Sequence, residues 1–219
     1  MINSEKMIFD IGANCGSYSK EYSSKGFKVI AIEPQKHLCE RIKNEQLNVI
    51  VINAIVSSSK EPLEFFMSNA DTLSTCSNDW MQKGRFSNQY SWWSIGKIEC
   101  ISLDQLIEIY GIPYFIKIDV EGSELDVVLS LSKKVDCLFS FEWVQEFPEK
   151  AIEVVKTFRK LGYTEFFITN HPRKNILTTE QLLKHSDILF APIQNFEAEI
   201  FSNMDNIAGN PSWGDVYIR

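Results

Sequence analysis

The apolar positions of the chain fall into short runs separated by amphipathic stretches, the alternation that builds β-α-β units and a mainly parallel sheet. Met7 to Ile11 reads as a first strand, and Ser17 to Lys25 as a helix stopped by Gly26. Lys28 to Glu33 is a second strand. Pro34 suits the first turn of a helix to Asn44, with Leu38 and Ile42 four apart on one face. Asn48 to Asn53 is a third strand, and Leu63 to Met67 a short extra one. After a helix from Ser102 to about Tyr110, Tyr114 to Asp119 forms a strongly apolar fourth strand. A helix over Ser123 to Leu131, a strand over Val135 to Glu142, a helix over Glu149 to Leu161 and a strand over Tyr163 to Thr169 continue the pattern. In the tail, Thr178 to Lys184 reads as helical, Ile188 to Ile193 as extended and Gly214 to Ile218 as a last strand. No Pro/Gly/Ser-rich linker divides the chain, so the expectation is one α/β domain over residues 1–219 with helices on both faces of the sheet.

Residues 68–97 break this rhythm. Ser, Asn, Asp and Gly accumulate there, yet Trp80, Trp92 and Trp93 fall in the same segment beside Phe86 and Tyr90. Long aperiodic loops are uncommon and are often functional. Two readings stay open: an aromatic platform and lid for an acceptor, or rings that pack the loop onto the sheet.

Composition narrows the class. The 219 residues are 44% hydrophobic, enough for a packed core, and carry 22 Lys+Arg against 29 Asp+Glu, a net charge of −7. A protein that grips nucleic-acid backbones is therefore not expected. No apolar run approaches a membrane span, and the start at Met1-Ile2-Asn3-Ser4 has no cationic leader or apolar signal core, so a cytoplasmic protein is expected. The five cysteines form no C-x-x-C pair and read as free thiols.

The chemistry begins where the first strand turns into a helix. Asp10-Ile11-Gly12-Ala13-Asn14-Cys15-Gly16-Ser17 follows D-x-G-x-N-x-G, in which glycines permit a sharp turn and close approach of a ligand to the backbone. Asn14 is, after glycine, the residue type that best tolerates the left-handed conformation. Glu33 ends the second strand 21 residues after Gly12, the separation at which a carboxylate meets a ribose diol. A dinucleotide loop would read G-x-G-x-x-G, and Asp10 would crowd a pyrophosphate. The same carboxylate suits a ligand carrying an ammonium and a sulfonium, which is S-adenosylmethionine (SAM), with S-adenosylhomocysteine (SAH) as its product. A structural glycine turn followed by a helix-starting Glu-Pro is the bland alternative.

The fourth strand continues into Lys117-Ile118-Asp119-Val120-Glu121-Gly122-Ser123-Glu124-Leu125. Asp119 and Glu121 fall outside the carboxyl end of the strand, where open α/β sheets bind ligands. Ser123 with Asp126 matches an S-x-x-D cap, and Glu124 complements the helix dipole, but neither accounts for Asp119 or Glu121.

Together the D-I-G-A-N-x-G loop, Leu103-Asp104, the K-I-D-V-E-G-S-E-L run and a strand ending Phe139-Ser140-Phe141-Glu142 resemble the FkbM-type SAM-dependent methyltransferases over about residues 7–168. Gly214-Asp215-Val216-Tyr217 resembles that family's closing strand. The resemblance implies a seven-stranded sheet of order 3-2-1-4-5-7-6 and O-methylation of a sugar, glycolipid or polyketide-like hydroxyl. It also implies that Gly12, Asn14 and Gly16 wrap the methionine portion of SAM, that Glu33 holds the ribose and that Asn53-Ala54 flank the adenine. Asp119 and Glu121 would face the methyl. Asp10, Ala13 and Ser17 complete the expected cofactor set. Two departures stand out: no helix precedes the first strand, and about 45 residues separate Thr169 from Gly214.

Removing the hydroxyl proton needs a base, for which Glu121, then Glu142, then His171 are candidates. Asp119, Glu121 and Glu142 also form an oxygen donor set for a divalent metal, although such sites use about six to eight oxygens. Asp71 to Thr75 offers hydroxyls for the cofactor's carboxylate, whereas His37 and His185 read as surface or packed histidines. A nicotinamide-dependent oxidoreductase and a non-catalytic SAM-binding subunit are the competing functions. The acceptor's specificity is expected to lie in segments 68–97 and 170–213.

Overall fold

The computed structural model describes residues 6–46, 48–169, 188–202 and 212–219. The first strands are short and apolar, as parallel strands covered on both faces must be. They are β1 (Met7–Ile11), followed by α1 (Ser17–Ser24), and β2 (Lys28–Ile32), followed by α2 (Lys36–Glu45). Next come β3 (Val49–Ile52), the two-residue β4 (Ile55–Val56), β5 (Leu63–Ser68), α3 (Asn78–Lys83), β6 (Trp92–Ile98) and β7 (Cys100–Ile101). α4 (Leu103–Tyr110) leads to β8 (Phe115–Ile118), α5 (Glu124–Leu129) to β9 (Leu138–Val144), and α6 (Pro148–Lys160) to β10 (Glu165–Ile168). β11 (Ala191–Pro192), α7 (Phe196–Ser202) and β12 (Trp213–Ile218) complete the described elements.

Eight strands form the main sheet in the order β11-β10-β12-β9-β8-β1-β2-β3. Read from β3 inward, seven of them reproduce the expected 3-2-1-4-5-7-6, and β11 is added at the far edge. Strands β3, β2, β1, β8 and β9 pair in parallel, whereas β12 runs antiparallel to both β9 and β10. Alternate side chains go to opposite faces. Phe9, Ile11, Ile30, Ile32, Ile116 and Ile118 join the core under α4 to α7, with Leu106, Val128, Val155, Phe158 and Phe196 from the helices. Ile8, Val29, Ala31 and Phe115 face the other way, against Tyr22 of α1 and Ile42 of α2.

The strand order reverses between β1 and β8, the place where open α/β sheets bind ligands. Segment 68–97 departs most from the expected loop. It holds α3 and, in β6, a strand paired antiparallel to β5 with a bulge between Glu64 and Phe66. β6 is hard to see in the sequence because it is a largely exposed ribbon strand with no buried face to impose alternation. Trp80 is buried against Phe147, with ring centroids 6.3 Å apart, and Phe86, Tyr90 and Trp92 close around this small cluster. These rings therefore pack the segment down, and Trp93 alone of the three tryptophans stands exposed. The helix expected over Thr178 to Lys184 lies outside the described residues, as do His171 and His185.

Candidate active site

The turn after β1 is shaped by close contacts. Gly12 has φ 77°, and a Cβ there would lie 1.8 Å from the Asp119 carbonyl oxygen, so only glycine lets the two strand ends meet. Gly12 and Ala13 donate their N–H groups to the Ile32 carbonyl at 3.0 and 3.1 Å. Asn14 occupies the left-handed region at φ 48°, as its residue type suggests, and its Oδ1 accepts from Cys15 N at 2.7 Å.

A cleft of about 540 Å³, part of it open to solvent, runs from this turn along the carboxyl ends of β1, β2 and β8. Glu33 lines it with both oxygens engaged: Oε2 accepts from Asn14 N at 2.8 Å and Oε1 from Gln35 N at 2.9 Å. Burial pushes its pKa up, and the two N–H bonds pull it partway back. A carboxylate oxygen has two lone pairs, so each retains one acceptor position. Ala54, Ile55, Val56 and Phe65 give the cleft an apolar wall suited to a flat ring.

Several expected ligand residues instead build the loop. Asp10 is buried with its side chain beneath the turn, where Oδ2 accepts from Ser19 Oγ at 2.6 Å and Oδ1 lies 3.9 Å from Lys117 Nζ. Ala13 belongs to the core. Gly16 starts α1 at φ 79°, and a Cβ there would come within 2.5 Å of Gln46 Nε2, so helix packing sets this glycine. Ser17 Oγ sits 3.2 Å from Cys15 Sγ, and Asn53 Nδ2 donates to the carbonyls of Glu33 and Pro34 at 3.0 and 2.7 Å. None of these five lines the cleft. Of the expected cofactor set, Gly12, Asn14, Glu33, Ala54 and Asp119 do.

Asp71, Thr72 and Ser74 also reach the wall, but the expected hydroxyls are partly spoken for. Ser74 Oγ donates to Gln35 Oε1 at 3.3 Å, and Thr75 Oγ1 to the Glu121 carbonyl at 2.7 Å. His37 is exposed on α2, 3.8 Å from Asp71.

At the other end, Asp119 Oδ2 accepts from Lys117 Nζ at 2.9 Å. Lys117 is buried and opposite Asp10 in the sheet, and its ammonium lies 4.7 Å from the centroid of the Tyr18 ring. Burial works against its charge, but Asp119 and then Asp10 hold the proton, and its pKa ends above the ordinary 10.5. Sequence reasoning missed the pairing of Asp10 with Lys117; a charged residue inside each of two apolar strands is the signal that could have found it.

Beyond Asp119 the chain turns sharply: Glu121 is left-handed at φ 54° and Gly122 follows at φ 91°. Holding a non-glycine residue there costs on the order of 1–3 kcal/mol. The Ser123 side chain makes no cap bond, contrary to the S-x-x-D pattern. Glu124 instead ties the turn before the helix, Oε1 accepting from Val120 N at 3.3 Å and Gly122 N at 3.1 Å. Burial first, and Asp119 among the charges, push the Glu124 pKa up to about 7, against the lowering effect of its backbone bonds. The folded protein thus binds this proton more tightly than the unfolded chain. The stabilising contribution is complete below about 4.5 and is lost as pH rises through about 7, a swing on the order of 3 kcal/mol. Tm is therefore expected to fall between pH 5 and pH 8. Glu124→Gln, which keeps Oε1 as an acceptor, should flatten that fall in a calorimetric pH series.

Asp119, Glu121 and Glu142 present carboxylate oxygens that all lie within 4.8 Å of one another. Asp119 and Glu121 line the cleft, and Glu142, opposite Asp215 in the sheet, lines an adjoining cavity with Trp80, Trp143 and Phe147. Burial, then Asp119 and Glu124, raise the Glu121 pKa well above 4.5. Burial, then Asp119 and Glu121, do the same for Glu142. Such a cluster binds a proton readily or shares a cation.

The sheet order, the glycine turn at the switch point and the Glu33 carboxylate just after β2 form a Rossmann-like arrangement, of the kind that binds adenosine-bearing ligands. The family model described as the methyltransferase FkbM domain matches residues 10–165, and the chain belongs to that family. It is a SAM-dependent methyltransferase. No curated protein matches it in sequence. Among solved structures, a precorrin-6y C5,15-methyltransferase from Geobacter metallireducens is 13% identical over 97% of this chain and 78% of its own, with TM-score 0.46. A SAM-dependent methyltransferase from Archaeoglobus fulgidus is 9% identical over 98% and 86%, with TM-score 0.45. One from Thiobacillus denitrificans, in complex with SAH, is 10% identical over 98% and 85%, with TM-score 0.44. Among the described residues no helix is long and apolar enough to cross a membrane.

Proposed function

We propose that this protein, as one domain over residues 1–219, transfers the methyl group to a hydroxyl of a carbohydrate, glycolipid or polyketide-like acceptor, with Glu121 as the general base. The observation that carries this reading is the three-carboxylate cluster, in which Glu121 lines the cofactor cleft with its proton affinity raised by burial and by Asp119. Bound SAM supplies an electrophilic methyl on a sulfonium. Glu33 would receive the ribose hydroxyls on its remaining lone pairs, and Ala54 to Val56 would flank the adenine. Gly12 and Asn14 would border the methionine portion. Asp119, held by Lys117, would offer negative charge to the cationic end of the ligand. Glu121 removes the acceptor proton, since an alcohol does not ionise unaided near neutral pH, and Glu142 is the second candidate for that role. His171 lies outside the described residues. Family membership sets the nicotinamide alternative aside.

Glu33→Ala is expected to weaken SAH binding roughly 10- to 100-fold by titration calorimetry, the effect of losing bonds to a charged group. The proximity of the three carboxylates supports a second role, shared ligation of a divalent cation. Turnover is expected to survive EDTA; loss on chelation, restored by Mg²⁺ or Mn²⁺, would assign the cluster to metal binding. O-transfer itself is tested with labelled SAM and paired acceptors that differ only in bearing a hydroxyl or an amine. Methyl on oxygen is expected, and methyl on nitrogen alone would refute it.

A further inference from the structure

The left-handed backbone at Glu121 is a strained choice for a residue with a long side chain, and such conformations persist only where the surroundings over-determine them. Around it, bonds from within the 120–124 turn and from α6 hold single polar atoms: Glu124 takes Val120 N and Gly122 N, and Lys150 Nζ reaches the Gly122 carbonyl at 3.4 Å. The Glu121 carbonyl is held from elsewhere, by Thr75 Oγ1 at 2.7 Å. Thr75 is fully buried and pinned to β5, exchanging backbone hydrogen bonds with Phe66 at 2.9 Å in both directions. Its hydroxyl also accepts from Ser77 N at 2.8 Å, so its donor and an acceptor position are both used. Gly122 presses on the same segment, where a Cβ would sit 3.2 Å from Ser77 Oγ. Ser74 and Cys76, on either side of Thr75, line the cofactor cleft.

We infer that Thr75 is a positioning residue: its hydroxyl anchors the Glu121 carbonyl to the β5 segment and thereby holds the Glu121 carboxylate in the cofactor cleft. The consequence for turnover rests on the base reading given above; the geometric claim does not. Without the hydroxyl, Glu121 relaxes to negative φ and its carboxylate leaves the acceptor, while the residues that bind the adenosine are untouched.

Thr75→Val keeps the shape and removes the hydroxyl, and Thr75→Ser keeps the hydroxyl. The valine variant is expected to lose about 10- to 100-fold in kcat, the effect of displacing a reacting group by about 1 Å, with SAH affinity close to that of the unaltered protein. The serine variant should retain most of the turnover. In a Glu121→Gln background, Thr75→Val should have little further effect, whereas a general structural role would still subtract its full amount. A crystal structure of Thr75→Val is expected to show Glu121 out of the left-handed region. Glu121 unmoved in that structure, or serine as damaging as valine, would overturn the inference. Unchanged turnover in Glu121→Gln alone would instead overturn the base reading, and the crystal structure would still judge the positioning.

Discussion

Glu121→Gln is expected to lower turnover by about 10² to 10⁴ while leaving SAH affinity near normal, the usual range for losing a general base. The amide keeps the size of the side chain and removes its ability to take a proton. The position is a demanding one, since Glu121 adopts φ 54° where glycine would be easier, and its raised pKa comes from burial and from Asp119 beside it. A base works only when deprotonated, so kcat should rise with pH along a limb well above the usual carboxylate range and fall away toward acid. Because Asp119 and Glu142 share the site, that limb belongs to the cluster. Turnover that survives the substitution would remove Glu121 from the chemistry and turn attention to Glu142. Turnover abolished together with SAH binding would make it a cofactor residue.

Gly12→Ala carries the second large effect, on stability and binding together. The new methyl would stand 1.8 Å from the Asp119 carbonyl oxygen, a backbone atom with no side chain to swing aside, and alanine would also be forced to φ 77°. Strain of this kind, with the strand ends pushed apart, is expected to cost on the order of 3 kcal/mol. For a chain of this size that lowers Tm by roughly 6–12 °C. The displaced Asp119 and the distorted turn should also abolish measurable SAH binding at concentrations that saturate the unaltered protein. Gly26→Ala is a useful contrast: φ is 87° there too, but a Cβ meets nothing within 4 Å, so only the conformational penalty remains.

Much of the fold was legible because parallel strands buried on both faces are short apolar runs, and β1, β2, β8 and β9 are all of that type. The β5–β6 ribbon was not, since exposed strands carry no core-facing alternation. In the site, the sequence named residue types but not the partners that the fold gives them. Asp10 and Gly16 have the identities expected of a cofactor loop, yet one pairs with Ser19 and lies near Lys117 while the other makes room for α2. The Lys117 and α2 contacts join elements distant in sequence, which spacing cannot reveal. Glu124 looked like a helix-dipole residue and ties the turn that carries Glu121, its carboxylate reaching back to the N–H groups of Val120 and Gly122. Glu142 and Glu121 could be named separately, but only the β8–β9 pairing brings their carboxylates together.

The central claim is that one cleft, at the switch between β1 and β8, binds the cofactor with its reactive end toward the three carboxylates. A crystal structure with SAH bound tests it most directly. The ribose hydroxyls are expected on Glu33, the adenine beside Ala54 to Val56, and a Glu121 carboxylate oxygen within about 3–5 Å of the axis along which the methyl leaves sulfur, a near-attack arrangement. SAH seated away from Glu33, or with its sulfur turned from Asp119, Glu121 and Glu142, would contradict the account.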